Sequence, residues 1–157
     1  MPTLAQLTSF LQLSSAGLLG VFAGTMLAEG FVLVPYWRSL APADFFAWYA
    51  ANDRRLVSFF GPVTTAAAVV TLAAALASAW TGHPGRWPAA AAAVLMLACV
   101  AVFFVYFESA NAAFSAASIP VAEVPASLSR WAAWHHARTL LSLLALALML
   151  VAVGRRP

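Results

Sequence analysis

The side chains able to do chemistry in this sequence are few and sit in strongly apolar surroundings: Glu29, Glu108, Asn111, Trp131, Trp134, His135, His136 and Arg138. Glu108 and Asn111 stand three apart and share one helical face, while Trp131, His135 and Arg138 follow an i, i+4, i+7 pattern on another. An imidazole titrates near neutral pH, so it accepts a proton or lends a lone pair to a metal. His135 shares a face with Arg138, whereas His136 is turned away by about 100°, so His135 is the expected centre of the chemistry. Arg138 is expected to pair with Glu29 or Glu108, because an unpaired guanidinium within a membrane is costly. Two carboxylates plus histidine also form a reduced version of the donor sets of helical-bundle iron proteins. His135, Glu29, Glu108 and His136 are therefore candidate metal ligands. The cofactor expectation is none, or a single transition metal such as copper or iron. Against a metal stands the pattern itself, since Glu-x-x-His pairs are replaced by Glu108-x-x-Asn111 and His135-x-x-Arg138.

These residues must be positioned by helices in a bilayer. Hydrophobic residues make up 64% of the chain and charged ones 8%, and the mean hydropathy is +0.89, which leaves too little polar surface for a water-soluble domain of this length. The composition predicts one all-α domain over residues 1–157, an integral membrane four-helix bundle with spans near residues 10–34, 56–80, 89–114 and 128–153. Pro35 is expected to close the first span. Tyr36 to Asp53, rich in aromatics and charges, reads as a re-entry loop and a short interfacial helix beginning near Pro42, with Trp37, Trp48 and Tyr49 at headgroup depth. Pro62 is expected to kink the second span. Gly82, Pro84 and Gly85 mark a turn, and Ser118 to Ser127, with Pro120 and Pro125, reads as a loop. Gly20 and Gly24 form a G-x-x-x-G face suited to close helix packing or to a homo-oligomer contact.

With four spans, both termini share a side with the turn near His83 and Arg86; we read that side as the cytoplasmic face of a bacterial inner membrane, with Arg155 and Arg156 ending the last span. All eight basic residues are arginines scattered over loops and helix ends, so there is no basic stripe for nucleic acid. Cys99 is the only cysteine and lies in an apolar run, which excludes an intrachain disulfide. The stretch from Met1 to Gln12 has no basic residue and reads as part of a retained span rather than a secretory leader. Topology then brings the end of span one, the start of span two, the end of span three and the start of span four to one side. Glu29, Asp53, Glu108, Asn111, His135 and Arg138 converge there, over a half that reads as Ala, Val, Leu and Met. The expected partners are the bilayer and a lipophilic small molecule bound in a one-sided polar pocket.

The order of these residues resembles the anthrone oxygenase-like family of small four-span membrane proteins. The resemblance rests on Gly20-Val-Phe-Ala-Gly24, the Val34-Pro35 exit, Pro62, Asn111, and the stretch from Trp131 through Trp134, His135, His136 and Arg138 to Thr139. His135 stands where other members commonly carry Asn. The resemblance implies an oxygen-using enzyme acting on an electron-rich, lipophilic aromatic such as an anthrone. Such a substrate reacts with oxygen once deprotonated, so a base, a cationic stabiliser and a dry pocket are required. His135 or Glu108 would supply the base and Arg138 the stabiliser, with Glu29 a further catalytic candidate and Asn111, Trp131 and Trp134 binding the substrate. A metal-dependent membrane oxidase, a small transporter and an accessory subunit are the other readings of the same residues.

Overall fold

The structure is a computed structural model that describes residues 3–155; Arg156 lies outside the described residues. Every regular element in that range is helical. Four helices are long and apolar enough to cross a bilayer: Leu4–Ser39, Pro42–Trp80, Arg86–Ser115 and Val121–Gly154. The protein is thus a multi-pass integral membrane bundle. The first helix packs against the second and fourth, and the third closes the ring against the same two.

The helices run further than hydropathy predicts, and the reasons are local. In the first, α1 (Leu4–Ala28) starts with a capping box between Thr3 and Gln6, passes through a π turn at Glu29–Leu33, and continues as α2 (Val34–Ser39). Pro35 does not end this helix. It falls in the first turn after the wide π turn, where its missing N–H and fixed φ are tolerated. Only Leu40 and Ala41, both extended, separate α2 from α3 (Pro42–Trp80). The expected interfacial helix is not a separate element but the first part of α3, because nothing between Pro42 and Leu56 breaks a helix. Helical structure also continues on both sides of Pro62.

The third helix joins α4 (Arg86–Val102), a second π turn at Phe103–Phe107, and α5 (Glu108–Ser115). The expected loop before the last span is shorter than predicted. A 3-10 turn at Val121–Glu123 leads directly into α6 (Val124–Gly154), with Pro125 in its first turn.

Several aromatics expected at headgroup depth are core residues. Trp37, Phe45, Phe46 and Tyr49 are buried with Phe107, Phe114, Val124, Leu128 and Trp131. Ring centroids lie 5.3 Å apart for Trp37 and Trp131 and 5.1 Å apart for Phe45 and Phe114, edge to face in both pairs. The α2–α3 corner therefore folds back as a lid of rings over one end of the bundle. At the other end Trp80 and Trp87 are 87% and 72% exposed and serve as interfacial anchors.

The half expected to be purely apolar does contain a core of small residues and methionines, among them Ala67, Ala74, Ala92, Met96 and Met149. It also carries a buried polar string that hydropathy averaging conceals. Gln12 Nε2 donates to Ser78 Oγ at 2.9 Å and lies 3.3 Å from His83 Nδ1, which accepts the Gly85 N–H at 2.9 Å. Ser15 and Thr71 hydroxyls meet at 2.7 Å. In an apolar surrounding each of these groups needs its partner, so the pairs fix the register of α1 against α3 and against the α3–α4 turn.

A Cβ added at Gly20 or Gly24 would meet nothing within 4 Å, so neither position is a close helix–helix approach within the bundle. Gly85, in contrast, lies against α6, where an added methyl would stand 2.5 Å from the Ala152 carbonyl oxygen. Gly85→Ala should therefore destabilise the bundle by about 1–3 kcal/mol, read as a lowered midpoint of thermal unfolding in detergent. Gly20→Ala, with open space around it, should leave the midpoint unchanged.

Candidate functional site

The two π turns lie beside the polar residues. A π turn adds a residue to a helix and displaces the side chains around it. One begins at Glu29 and the other ends immediately before Glu108. Next to the first, His135 Nε2 lies 2.8 Å from the Met26 carbonyl oxygen. Gly30 makes this approach feasible, since a Cβ there would come within 3.3 Å of the same nitrogen. The fully buried imidazole stacks nearly parallel on Trp131, centroids 5.1 Å apart. The Trp131 indole N–H in turn donates to Asn111 Oδ1 at 2.9 Å.

Glu29, 5% exposed, is the hub. Its Oε2 lies 3.4 Å from Arg138 Nη2 and 3.5 Å from His135 Nδ1. The Arg138 guanidinium also lies over the Phe107 ring, 4.3 Å from the centroid, a cation–π contact strengthened by desolvation. Hydrogen-bond logic fixes the protons. A carbonyl oxygen only accepts, so Nε2 carries the hydrogen shared with Met26 and the Nδ1 of a neutral ring is a bare lone pair. That lone pair faces a carboxyl oxygen, and Nδ1 has no hydrogen-bond partner. The contact is attractive only when a proton sits on Nδ1 or on Glu29. The pair therefore has room for one exchangeable proton, on Nδ1 or on Glu29. The same logic orients Asn111: an indole N–H only donates, so Oδ1 accepts it and the NH2 group remains a donor on the opposite side of the amide.

A cavity of about 780 Å³ opens between α3 and the α4–α5 helix, with α1 and α6 as its floor. Glu29, Arg138, Asn111, Trp131, Tyr49 and Asp53 line its polar end. Phe22, Ala68, Val69, Cys99, Val100 and Phe103 line the rest. Across its polar end Ser115 Oγ donates to Asp53 Oδ2 at 2.6 Å and ties α5 to α3. The structure thus joins five of the expected residues: Glu29, Asn111, Trp131, His135 and Arg138.

The remaining candidates stand apart. Glu108 lines the cavity but is exposed, and Arg138 pairs with Glu29 instead. Trp134 is outside the cavity wall, stacked on Tyr106 with centroids 5.3 Å apart. His136 is exposed on the neighbouring face of α6. His135 itself does not line the cavity; it lies behind Glu29 and Trp131. Among the described residues no three His, Cys, Asp or Glu side chains gather in a metal-binding group. Glu29 and His135 alone, with the Arg138 cation against the same carboxyl oxygen, make a poor donor set for a metal. Tyr49 and Phe103 are cavity residues that residue type did not mark. Tyr49 reads in sequence as an interfacial anchor, and Phe103 as one more aromatic in an apolar run.

Removing one member of a buried ion pair leaves the other uncompensated. Arg138→Leu should destabilise the bundle by about 3–5 kcal/mol, and the Glu29→Leu/Arg138→Leu double variant should recover about 0.5–3 kcal/mol of the summed single losses. Denaturant unfolding of all four proteins in detergent measures this coupling, and strictly additive losses would refute it.

No curated protein and no solved structure matches the chain. The profile of a protein family, Anthrone oxygenase, matches residues 45–148. That segment includes Tyr49, Asp53, Glu108, Asn111, Trp131, His135 and Arg138 and leaves Glu29 outside it. Since the match spans more than half of the chain, the protein belongs to the anthrone oxygenase family.

Proposed function

We propose that the protein is a membrane-embedded oxidoreductase that prepares a lipophilic hydroxyaromatic for reaction with molecular oxygen in the cavity between α3 and α4–α5. The observation that carries this reading is the Glu29 carboxyl, which faces an otherwise largely apolar chamber and meets both His135 and Arg138 through one oxygen. Membership of the family supports the class of reaction.

In this reading Glu29 touches the substrate and takes its acidic proton. His135 Nδ1, 3.5 Å behind, accepts that proton in turn, so His135 acts through Glu29 rather than on the substrate. Arg138 and the Asn111 NH2 group supply positive charge and a hydrogen bond for the resulting anion. The electron-rich anion then gives up electrons to oxygen. Phe22, Phe103 and Val100 keep water from the anion and hold the aromatic rings. The Trp131 bond to Asn111 keeps the amide in the one orientation that presents a donor.

Oxygen consumption with a hydroxyanthrone provides the test. Glu29→Gln removes the proton acceptor at almost constant shape, and kcat should fall by about 10²–10⁴. His135→Ala should lose activity in the same direction, whereas His136→Ala should retain it at matched expression. Full turnover by Glu29→Gln would overturn the assignment, as would a loss confined to His136→Ala.

A further inference from the structure

The shape of the cavity exceeds what a compact aromatic needs. Along α3 its lining runs from Tyr49 to Val69, about 30 Å of helical rise. It follows the antiparallel α4–α5 helix over a similar length, from Ala116 to Cys99. Polar groups occupy one end. Beyond Glu29, the floor descends through Met26 to Phe22, about two helical turns deeper. Past the two threonines Thr64 and Thr65, the walls are Ala68, Val69 and Val100.

Depth in the bilayer gives this shape a meaning. Trp80, 87% exposed, marks one interface at the foot of α3. Val69 lies about 16 Å of rise above it and Phe60 about 30 Å above it. A hydrocarbon layer about 30 Å thick therefore has its midplane near Val69 and its far boundary near Phe60. The Asp53–Ser115 end accordingly sits at headgroup level and the Val69 end near the midplane, with Glu29 and Arg138 between them, the Arg138 carbonyl 3.6 Å from Cys99 Sγ. The groove is also open on its side, where Val57, Val69 and Phe104 line it yet remain 70%, 61% and 63% exposed. It spans the depth of one leaflet, with Asp53 and Ser115 at its surface end, Glu29 and Arg138 below them, and apolar walls toward the midplane.

We infer that the ligand of this cavity is a single-tailed phenolic lipid: a hydroxyaromatic head held at Glu29, Arg138 and Asn111, with one long apolar chain lying along the groove to the midplane. It enters sideways from the leaflet through the gap between α3 and α4–α5, beneath the Asp53–Ser115 bridge. This inference rests on the reading above for the position and chemistry of the head. The tail gains little binding energy from the groove, because surrounding lipid is equally apolar. Its function there is to hold the head at the depth and orientation that Glu29 requires.

The experiment uses the intact protein in phosphatidylcholine nanodiscs and a 4-dodecylphenol carrying a diazirine at the end of its chain. Photolabelling should fall on peptides containing Ala68 and Val69 or Cys99 and Val100, and excess 4-dodecylphenol should suppress it. Thr65→Phe and Ala68→Phe, which fill the deep end, should cut that labelling by about tenfold. The Thr65→Phe variant should still consume oxygen with a tail-less hydroxyanthrone. Thr65 is exposed in the bundle, so its variant tests the groove without disturbing the core. Label spread over the outer face of α6 without competition would overturn the inference. So would equal groove labelling by a diazirine-tagged dodecane that has no phenol, which would identify the occupant as an ordinary lipid chain. Groove labelling combined with no oxygen consumption by wild type would instead overturn the chemistry proposed for the head and leave the tail channel standing.

Discussion

A carboxyl group buried among lipid-exposed helices is costly unless its charge is matched, and in this protein everything near the polar end answers that cost at Glu29. Arg138 meets it from α6, and His135 meets the same oxygen one turn away. Arg138 in turn is steadied by the Phe107 ring from the third helix. His135 is steadied by the Met26 carbonyl and by Trp131, which is itself tied to Asn111. One acidic side chain thereby links α1, α6 and the third helix. Only α3 is free of this network, and the cavity opens along α3.

The π turns explain how the network fits in so little space. The first π turn begins at Glu29, one residue before the Gly30 that lies against the His135 ring, and shifts the face presented by the residues that follow it. The wide turn at Glu29–Leu33 also lets the helix continue through Pro35 to Ser39, which places Trp37 1% exposed over the site. The second wide turn, Phe103–Phe107, directs Phe107 inward under Arg138 while Phe104 remains on the open side of the groove. Both π turns flank the candidate site, as such turns often do at functional positions.

The four spans, their antiparallel order and the side on which the polar residues gather were legible in the sequence, because apolar length and ionisable exceptions are strong signals. The helix ends were not. Pro35 reads as a terminator only if the turn before it is α-helical, and no residue type announces a π turn. Trp37 and Tyr49 read as anchors because an aromatic flanked by charges looks the same whether it faces headgroups or folds inward. The helical spacing of Trp131, His135 and Arg138 correctly put them on one face. It could not show that Glu29 would come between the imidazole and the cavity. Gln12, Ser15, Thr71 and Ser78 escaped notice for a different reason: each is mildly polar, and averaging over a span erases it.

Those mild residues bear on the site through rigidity. The string from Gln12 to His83 and the Ser15–Thr71 pair lock α1 to α3 in the half away from the cavity. The Asp53–Ser115 bond ties α3 to α5 at the other end. Between these ties the groove opens between α3 and α4–α5, with Val57 and Val69 on its exposed side. Gly61, which lines the groove, and Pro62 lie in this middle stretch of α3. Proline leaves the helix without one backbone hydrogen bond, and the Gly61 position has open space around it. The residues that bind charge belong to α1, α6 and the third helix. The division of labour follows from the bonding pattern: three helices carry the buried charges and their partners, and α3 supplies one wall of the groove beside them.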